Sequence, residues 1–219
     1  MVNRDAGQSA PRLTARGAAT KARIVSAAAE MMYLKGVAAT TLGEVLIASA
    51  TSKSQFRQHF VDKDDLVREV IALRAAEIIG KQTRRLTTVD SFRGLERWRD
   101  ALLQRNVLRR GAWGCELGSL ASELSDTHDD ARQRLAMHFG EWERLLVAAF
   151  ERMRANGVLR DDIDTARMAT SVMAAVQGGY LLSQLNRDAE PMKAALDMAL
   201  SHVRSFQAPA QPRSRRSDR

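Results

Sequence analysis

The sequence predicts an all-α protein of about nine helices: a three-helix domain with a helix-turn-helix, followed by a larger helical bundle. Three observations carry this. The 219 residues are 45% hydrophobic but only 5% aromatic, with 4 Pro among many Ala, Leu, Arg, Met and Glu, a profile that favours helix over strand. Apolar residues recur three and four positions apart in segment after segment, and no segment alternates convincingly as a half-buried strand does. Two helix-start signatures, Thr41-Leu-Gly-Glu44 and Ser52-Lys-Ser-Gln55, follow each other closely enough to set two short helices about a turn.

In chain order, residues 1–19 read as a flexible basic arm carrying Arg4, Arg12 and Arg16. Thr20 is an N-cap candidate for a helix over 21–35 with Ile24, Ala28, Met31 and Leu34 on its apolar face, ended by Lys35-Gly36. Thr41 opens a helix over 42–48 with Leu42, Val45 and Leu46 inward. Ser52 opens another over 53–59 with Phe56 and Phe60 inward. Asp62 caps a helix over 63–85, with Asp64 and Asp65 in the first turn, where the helix dipole favours acid. Its stripe is Leu66, Val70, Leu73 and Ile78. Helices over 91–109 and 117–124 follow, separated by the glycine-punctuated link Trp113-Gly-Cys-Glu-Leu-Gly118. A long helix over 129–154 carries Leu135, Phe139, Trp142, Leu146, Ala149 and Met153, and Asn156-Gly157 ends it. Asp164 caps a helix to 185. Pro191 stands in the first turn of the last helix, where its missing N–H is not needed; that helix carries Met192, Leu196, Ala199, Val203 and Phe206. Residues 207–219 read as a disordered basic tail. The domain division is therefore 20–66 for the helix-turn-helix domain (motif about 41–60) and 67–206 for the bundle.

Charge narrows the function. The net +8 sits at the two ends: residues 1–63 hold nine Lys/Arg against four Asp/Glu, residues 207–219 four against one, and the stretch between is balanced. A basic end on a neutral body suits a polyanionic partner. The sole cysteine, Cys115, excludes an internal disulfide and a cysteine zinc site within one chain, and fits a reducing, cytoplasmic setting. The four His at 59, 128, 138 and 202 lack paired metal-ligand spacing, and no phosphate loop or nucleophile elbow is present, so neither a cofactor, a metal site nor catalysis is expected. No apolar run reaches the roughly 18–20 residues of a membrane helix, and no signal peptide is read at the start.

The second short helix is the one expected in the major groove of double-stranded DNA. Its outward residues, Lys53, Ser54, Gln55, Arg57, Gln58 and His59, include no acid. Gln55 has two competing roles: partner of Ser52 in the capping box, or bidentate reader of adenine. Arg57 suits guanine or a phosphate, Lys53 and Lys63 suit phosphates, and His59 suits packing as readily as DNA. Gly178-Gly179 inside a helix disfavours it by roughly 1 kcal/mol each relative to Ala, which implies close helix approach, either within the chain or to a second copy.

The run Thr20–Leu66 resembles the DNA-binding domain of the TetR family of bacterial transcriptional repressors, through Ile24, Ala27-Ala28, Gly36, Ala39-Thr40-Thr41, Glu44, Ser52-Lys53, His59-Phe60, Lys63 and Leu66 without a gap. It departs from the family at Ala50 and Ser54, where glycine is frequent, and at Arg57, where tyrosine is usual and touches a phosphate. The resemblance adds phosphate contacts from Thr40 and Thr41 to their capping role. Gly114-Cys115-Glu-Leu117-Gly118-Ser-Leu120-Ala121 and Arg187-Asp188-Ala189-Glu190-Pro191 look like one subgroup of that family, whose members tend to regulate drug-efflux or aromatic-compound genes.

The resemblance implies a homodimer on a palindromic operator, with half-sites about 34–36 Å apart or a multiple, released by a small hydrophobic or aromatic effector. Residues for a ligand cavity are Trp98, Trp113, Cys115, Met137, Trp142, Met173, Gln177 and Tyr180, each also a plausible core residue. Gly178, Gly179, Leu182, Leu196 and Val203 are candidates for the dimer interface. The competing readings are a helical small-molecule carrier or enzyme with a vestigial DNA-binding motif, and a non-specific architectural DNA binder.

Overall fold

The computed structural model of the protein describes residues 14–209. These form nine α-helices and no strand: α1 (Ala15–Lys35), α2 (Leu42–Ala48), α3 (Lys53–Arg57), α4 (Lys63–Leu86), α5 (Phe92–Leu108), α6 (Glu116–Leu124), α7 (Asp129–Ala155), α8 (Thr165–Asn186) and α9 (Glu190–Arg204). The chain divides into two compact units between Leu73 and Arg74. The division falls inside α4, seven residues later than the sequence boundary, because Val67, Val70 and Ile71 continue the first unit's run of buried positions.

In the first unit α1 packs on α2 and α3. The helix starts earlier than expected. Thr14, not Thr20, is the cap: its side chain accepts from Gly17 N at 3.1 Å. Thr20 is buried and donates its hydroxyl to Arg16 O at 3.0 Å. Arg16 thus belongs to α1 and not to an arm; Arg4 and Arg12 lie outside the described residues. The inner face is Ile24, Val25, Ala28, Ala29 and Met32, and Leu34 is 57% exposed. The buried stripe runs 25, 28, 29, 32, so it turns away from Leu34 one step before the helix ends.

The turn between α2 and α3 is left-handed at Ala50 (φ 50°). It is braced by Ser49, whose hydroxyl bonds Val45 O and Thr51 Oγ1, each at 2.7 Å. A side chain with a Cβ is strained at this φ, whereas glycine is not. Ala50→Gly is therefore expected to raise stability by roughly 0.5–1 kcal/mol, read as a higher thermal midpoint; a lowered midpoint would contradict it. Helix α3 closes at Arg57 rather than 59, since Gln58 N is shared between Ser54 O and Gln55 O, and His59 N turns in to Phe56 O at 2.9 Å. Phe56 and Phe60 are both buried, with ring centroids 5.0 Å apart.

In the second unit the closest pairing is the antiparallel one of α8 and α9; α7 packs on α8, α6 on α7 and α5 on α9. Ion pairs Arg99–Asp197 and Arg204–Glu96 join α5 to α9. Trp98 is buried and donates Nε1 to Gln82 Oε1 at 2.9 Å. The Arg152 guanidinium accounts for backbone carbonyls at the end of α4, donating to Leu86 O at 2.5 Å and Val89 O at 3.1 Å, groups a helix end otherwise leaves unpaired. Asp164 caps α8 and Pro191 stands in the first turn of α9 as the sequence predicts, and Ser91, which the sequence reading placed inside the helix, caps α5. Residues 207 and 208 do not belong to a free tail: Gln207 bridges Leu159, and Ala208 N donates to Val158 O at 3.0 Å. The tail from residue 210 on lies outside the described residues.

Candidate nucleic-acid interface and ligand cleft

Both capping boxes form. Thr41 Oγ1 accepts from Glu44 N at 3.3 Å while Glu44 Oε2 accepts from Thr41 N at 2.9 Å. Lys35 adds an ion pair to Glu44 at 2.6 Å. The Lys35 hydrogen bond first, then that of the Thr41 hydroxyl, hold the Glu44 carboxyl down to about 2, so the box is intact throughout the neutral range. In the second box Ser52 Oγ accepts from Gln55 N at 3.1 Å and Gln55 Oε1 accepts from Ser52 N at 2.8 Å. Gln55 therefore caps, and its amide oxygen is engaged by backbone.

Around these boxes the predicted DNA residues separate into two groups. Ser52, Lys53, Ser54, Arg57 and Gln58 are exposed, and Thr41 is exposed with its hydroxyl in the box. Thr40 is a correction: it is 1% exposed and donates its hydroxyl to Gly36 O at 2.7 Å, so it closes the α1–α2 turn and offers no hydroxyl to a phosphate. Lys63 reaches back 26 residues to donate to Val37 O at 2.6 Å, tying the start of α4 to the α1–α2 loop. His59 is half-buried, edge-on to Phe60, with Nδ1 buried and without a partner. What remains is a five-residue helix with two cations, held at its N-terminus by its own cap and seated by Phe56.

Among the described residues of the second unit, two clefts take in predicted cavity residues. One, of about 330 Å³, is lined by residues of α4 and α5 with Cys115, Glu116, Trp142 and Tyr180; the other, of about 790 Å³, lies against α6 and the outer side of α8 and includes Cys115, Gln177, Gly178 and Tyr180. Of the predicted cavity residues, Cys115 and Tyr180 line both clefts, Trp142 only the first and Gln177 only the second. Met137 is 52% exposed and Trp113 partly exposed, so neither encloses a cavity. Trp98 bonds Gln82 in the core, and Met173 is buried with its sulfur 3.7 Å from Gln177 Nε2. Burial pushes the Cys115 thiol above its ordinary range, which keeps it protonated and unreactive. The sequence reading missed Lys81, Arg85, Arg105, Arg109 and Glu116; the signal was there as two basic pairs at i, i+4.

Three interface candidates are also corrected. Leu196 and Val203 are fully buried in their own chain. Gly179 serves the internal α8–α9 contact: a Cβ there would stand 2.8 Å from Met192 Sδ and 3.1 Å from Met192 Cα. A Cβ on Gly178 would meet nothing within 4 Å, and Leu182 is exposed. Among the described residues, no helix is long and apolar enough to cross a membrane, and no group of three His, Cys, Asp or Glu is placed to hold a metal ion.

Comparison with known proteins agrees with this architecture. Residues 24–70 match the bacterial regulatory proteins of the tetR family, and residues 92–199 match the tetracyclin repressor-like C-terminal domain. An uncharacterised HTH-type transcriptional regulator from the lacX 3' region of Lactococcus lactis is 23% identical over 182 residues, 82% of this chain and 90% of its own length. The HTH-type transcriptional repressor DhaR of Mycobacterium sp. strain GP1 is 21% identical over 171 residues, 77% of this chain and 84% of its own. A TetR-family regulator from Cytophaga hutchinsonii shares the fold at a TM-score of 0.78 and 18% identity, over 91% of this chain and all of the other. With both of its units matched in this way, the chain belongs to the TetR family of bacterial transcriptional regulators, and its helix-turn-helix is that family's DNA-binding element.

Proposed function

We propose that the protein is a homodimeric repressor, that each subunit sets α3 into a major groove of a palindromic operator, and that a small molecule in the second unit releases it. The observation that carries the reading is the α3 surface, where Lys53, Ser54, Arg57 and Gln58 are exposed together on a helix with no acid. Arg57 supplies a phosphate or guanine contact and Lys53 a phosphate contact. Ser52 and Thr41 present helix N-termini to the backbone.

Dimerisation is supported by an exposed apolar row on α8: Gly178, Leu181, Leu182 and Leu185 at i, i+3, i+4 and i+7, with the three leucines each more than half exposed and Met198 exposed on α9. We therefore propose Leu182 and Gly178 for the interface between subunits. Release is supported by α4, which runs unbroken from the first unit into the second. An effector that shifts a 1:99 population to 99:1 must favour the non-binding state by about 5.5 kcal/mol. On the resemblance of the Gly114–Ala121 and Arg187–Pro191 segments we also propose the subgroup whose members tend to regulate drug-efflux or aromatic-compound genes.

The test is a gel shift on DNA just upstream of the protein's own gene, with excess unrelated competitor at about physiological salt. A competitor-resistant shift is expected. A shift that collapses equally on every sequence as salt rises would make it a non-specific binder, and no shift on any genomic fragment would favour the carrier.

A further inference from the structure

The smaller cleft of the second unit has two kinds of wall. Ile78, Leu102, Leu108 and the Trp142 ring supply apolar surface. Against it stand Lys81 and Arg85 on α4, and Arg105 on α5 with Arg109 at that helix's C-cap, each pair four residues apart. These are four cations facing a single lining carboxylate, that of Glu116. Glu116 is 6% exposed; its Oε1 takes Arg105 at 2.6 Å and Arg109 at 3.7 Å. Its Oε2 is buried with no hydrogen-bond partner, and so is Nε1 of Trp142, itself 1% exposed. A buried polar atom left unpaired is destabilising, so two of them, on two residues that line one cleft, call for an explanation. Oε2 of a carboxylate needs a donor and the indole N–H needs an acceptor; a hydroxyl group is both. The excess of cations needs an anion, and the indole and aliphatic side chains that line the cleft suit a flat ring. The volume, about 330 Å³, is at the low end of the roughly 300–1,000 Å³ of ligand sites, which suits one ring rather than a multi-ring drug.

We infer that this cleft binds a hydroxylated aromatic carboxylate. The carboxylate is held by Lys81 and Arg85, the ring lies among Trp142, Leu102 and Ile78, and the hydroxyl satisfies Trp142 Nε1 and Glu116 Oε2. The inference rests on the regulator reading only in calling this compound the effector. It replaces a merely hydrophobic ligand by an amphipathic anion.

The full-length chain is titrated calorimetrically with 2-, 3- and 4-hydroxybenzoate, benzoate and phenol, without DNA. At least one hydroxybenzoate is expected to bind about tenfold or more tightly than benzoate, because losing the hydroxyl leaves buried polar groups unpaired again, and about tenfold more tightly than phenol. Lys81→Ser with Arg85→Ser is expected to erase the preference over phenol while leaving phenol binding unchanged. Trp142→Phe, which removes only the indole N–H and some ring area, is expected to erase most of the preference over benzoate. Equal binding of benzoate, equal binding of phenol, or no binding of any acid at millimolar concentration each overturns the inference. A gel shift on the operator with the same compounds separates the two readings. A bound acid that does not release DNA leaves the ligand class standing and overturns the release mechanism. Specific DNA binding with no acid bound does the reverse.

Discussion

Gly111→Ala is expected to destabilise the second unit by about 3 kcal/mol or more. Gly111 stands at φ 70°, where an added Cβ is strained by about 1 kcal/mol or more. The larger effect is steric. A Cβ there would lie 2.5 Å from Ser183 O, 2.6 Å from Asp188 O and 2.7 Å from Asp188 N. All three are backbone atoms of the α8–α9 corner, so no side chain can swing aside. That corner is already committed: Ser183 is wholly buried, its hydroxyl accepts Met192 N at 3.1 Å, and Arg187 closes α8 in a left-handed conformation. Moving it would disturb the start of α9, where Gly179 and Met192 are in close contact. For a domain of this size the thermal midpoint should fall by about 6–12 °C. Gly140→Ala is the control. Its Cβ would meet only a flexible guanidinium at 3.6 Å on α7, and alanine's helix propensity should stabilise by up to about 1 kcal/mol. A midpoint for the Gly111 variant within about a degree of the parent would mean that the α8–α9 corner yields far more easily than its buried hydrogen bonds imply.

The contrast between these glycines shows which parts of the molecule were legible in the sequence. Helix starts were, because a cap is a local pattern: Thr41/Glu44, Ser52/Gln55, Asp62 and Asp164 all bond as their spacing requires. Thr20 failed because a second Thr lay one and a half turns upstream, and only the packing of 15–19 as helix decides between them. The phase of a stripe was legible to within a residue, which is enough to misplace Leu34. What periodicity does not carry is the identity of the partner. Leu196 and Val203 read as an apolar face, and nothing in their spacing says whether that face meets its own chain or another; the fold assigns it to its own chain. For the same reason the ring residues of the bundle did not sort themselves into core and cavity. The link at 110–114, with Arg110 and Trp113 both at positive φ, was opaque because no residue preference announces those conformations; tertiary contact imposes them. In the first unit, Lys63 illustrates the reverse case. It fits the family pattern, and the fold gives it a bond to Val37 O that suffices to explain a lysine there.

The largest functional effect is expected from Lys53→Ala with Arg57→Ala. Both side chains are exposed on α3, so stability should stay within about 0.5 kcal/mol of the parent. Operator affinity should not: a bidentate arginine contact to guanine is worth about 1–3 kcal/mol, and in a symmetric dimer each loss occurs twice. A fall of at least about a hundredfold in a gel shift follows, since about 1.4 kcal/mol is tenfold.

The salt dependence then tells the two residues apart. Every phosphate contact contributes about 0.9 to the slope of log affinity against log salt, so in the proposed dimer a phosphate-bound Lys53 should flatten the slope by about 2 when replaced alone. Arg57→Ala should do the same if it stands in for the phosphate-binding tyrosine of the family. If it reads guanine instead, the slope should change less and the preference at one operator base should relax. Gln55→Glu completes the comparison. Glutamate preserves the capping box but cannot donate to adenine, so unchanged stability with lost base preference would show that Gln55 leaves its cap for DNA. Unchanged operator affinity in the Lys53/Arg57 variant would remove α3 from the interface, and with it the reading of the exposed cationic face on which the repressor proposal stands.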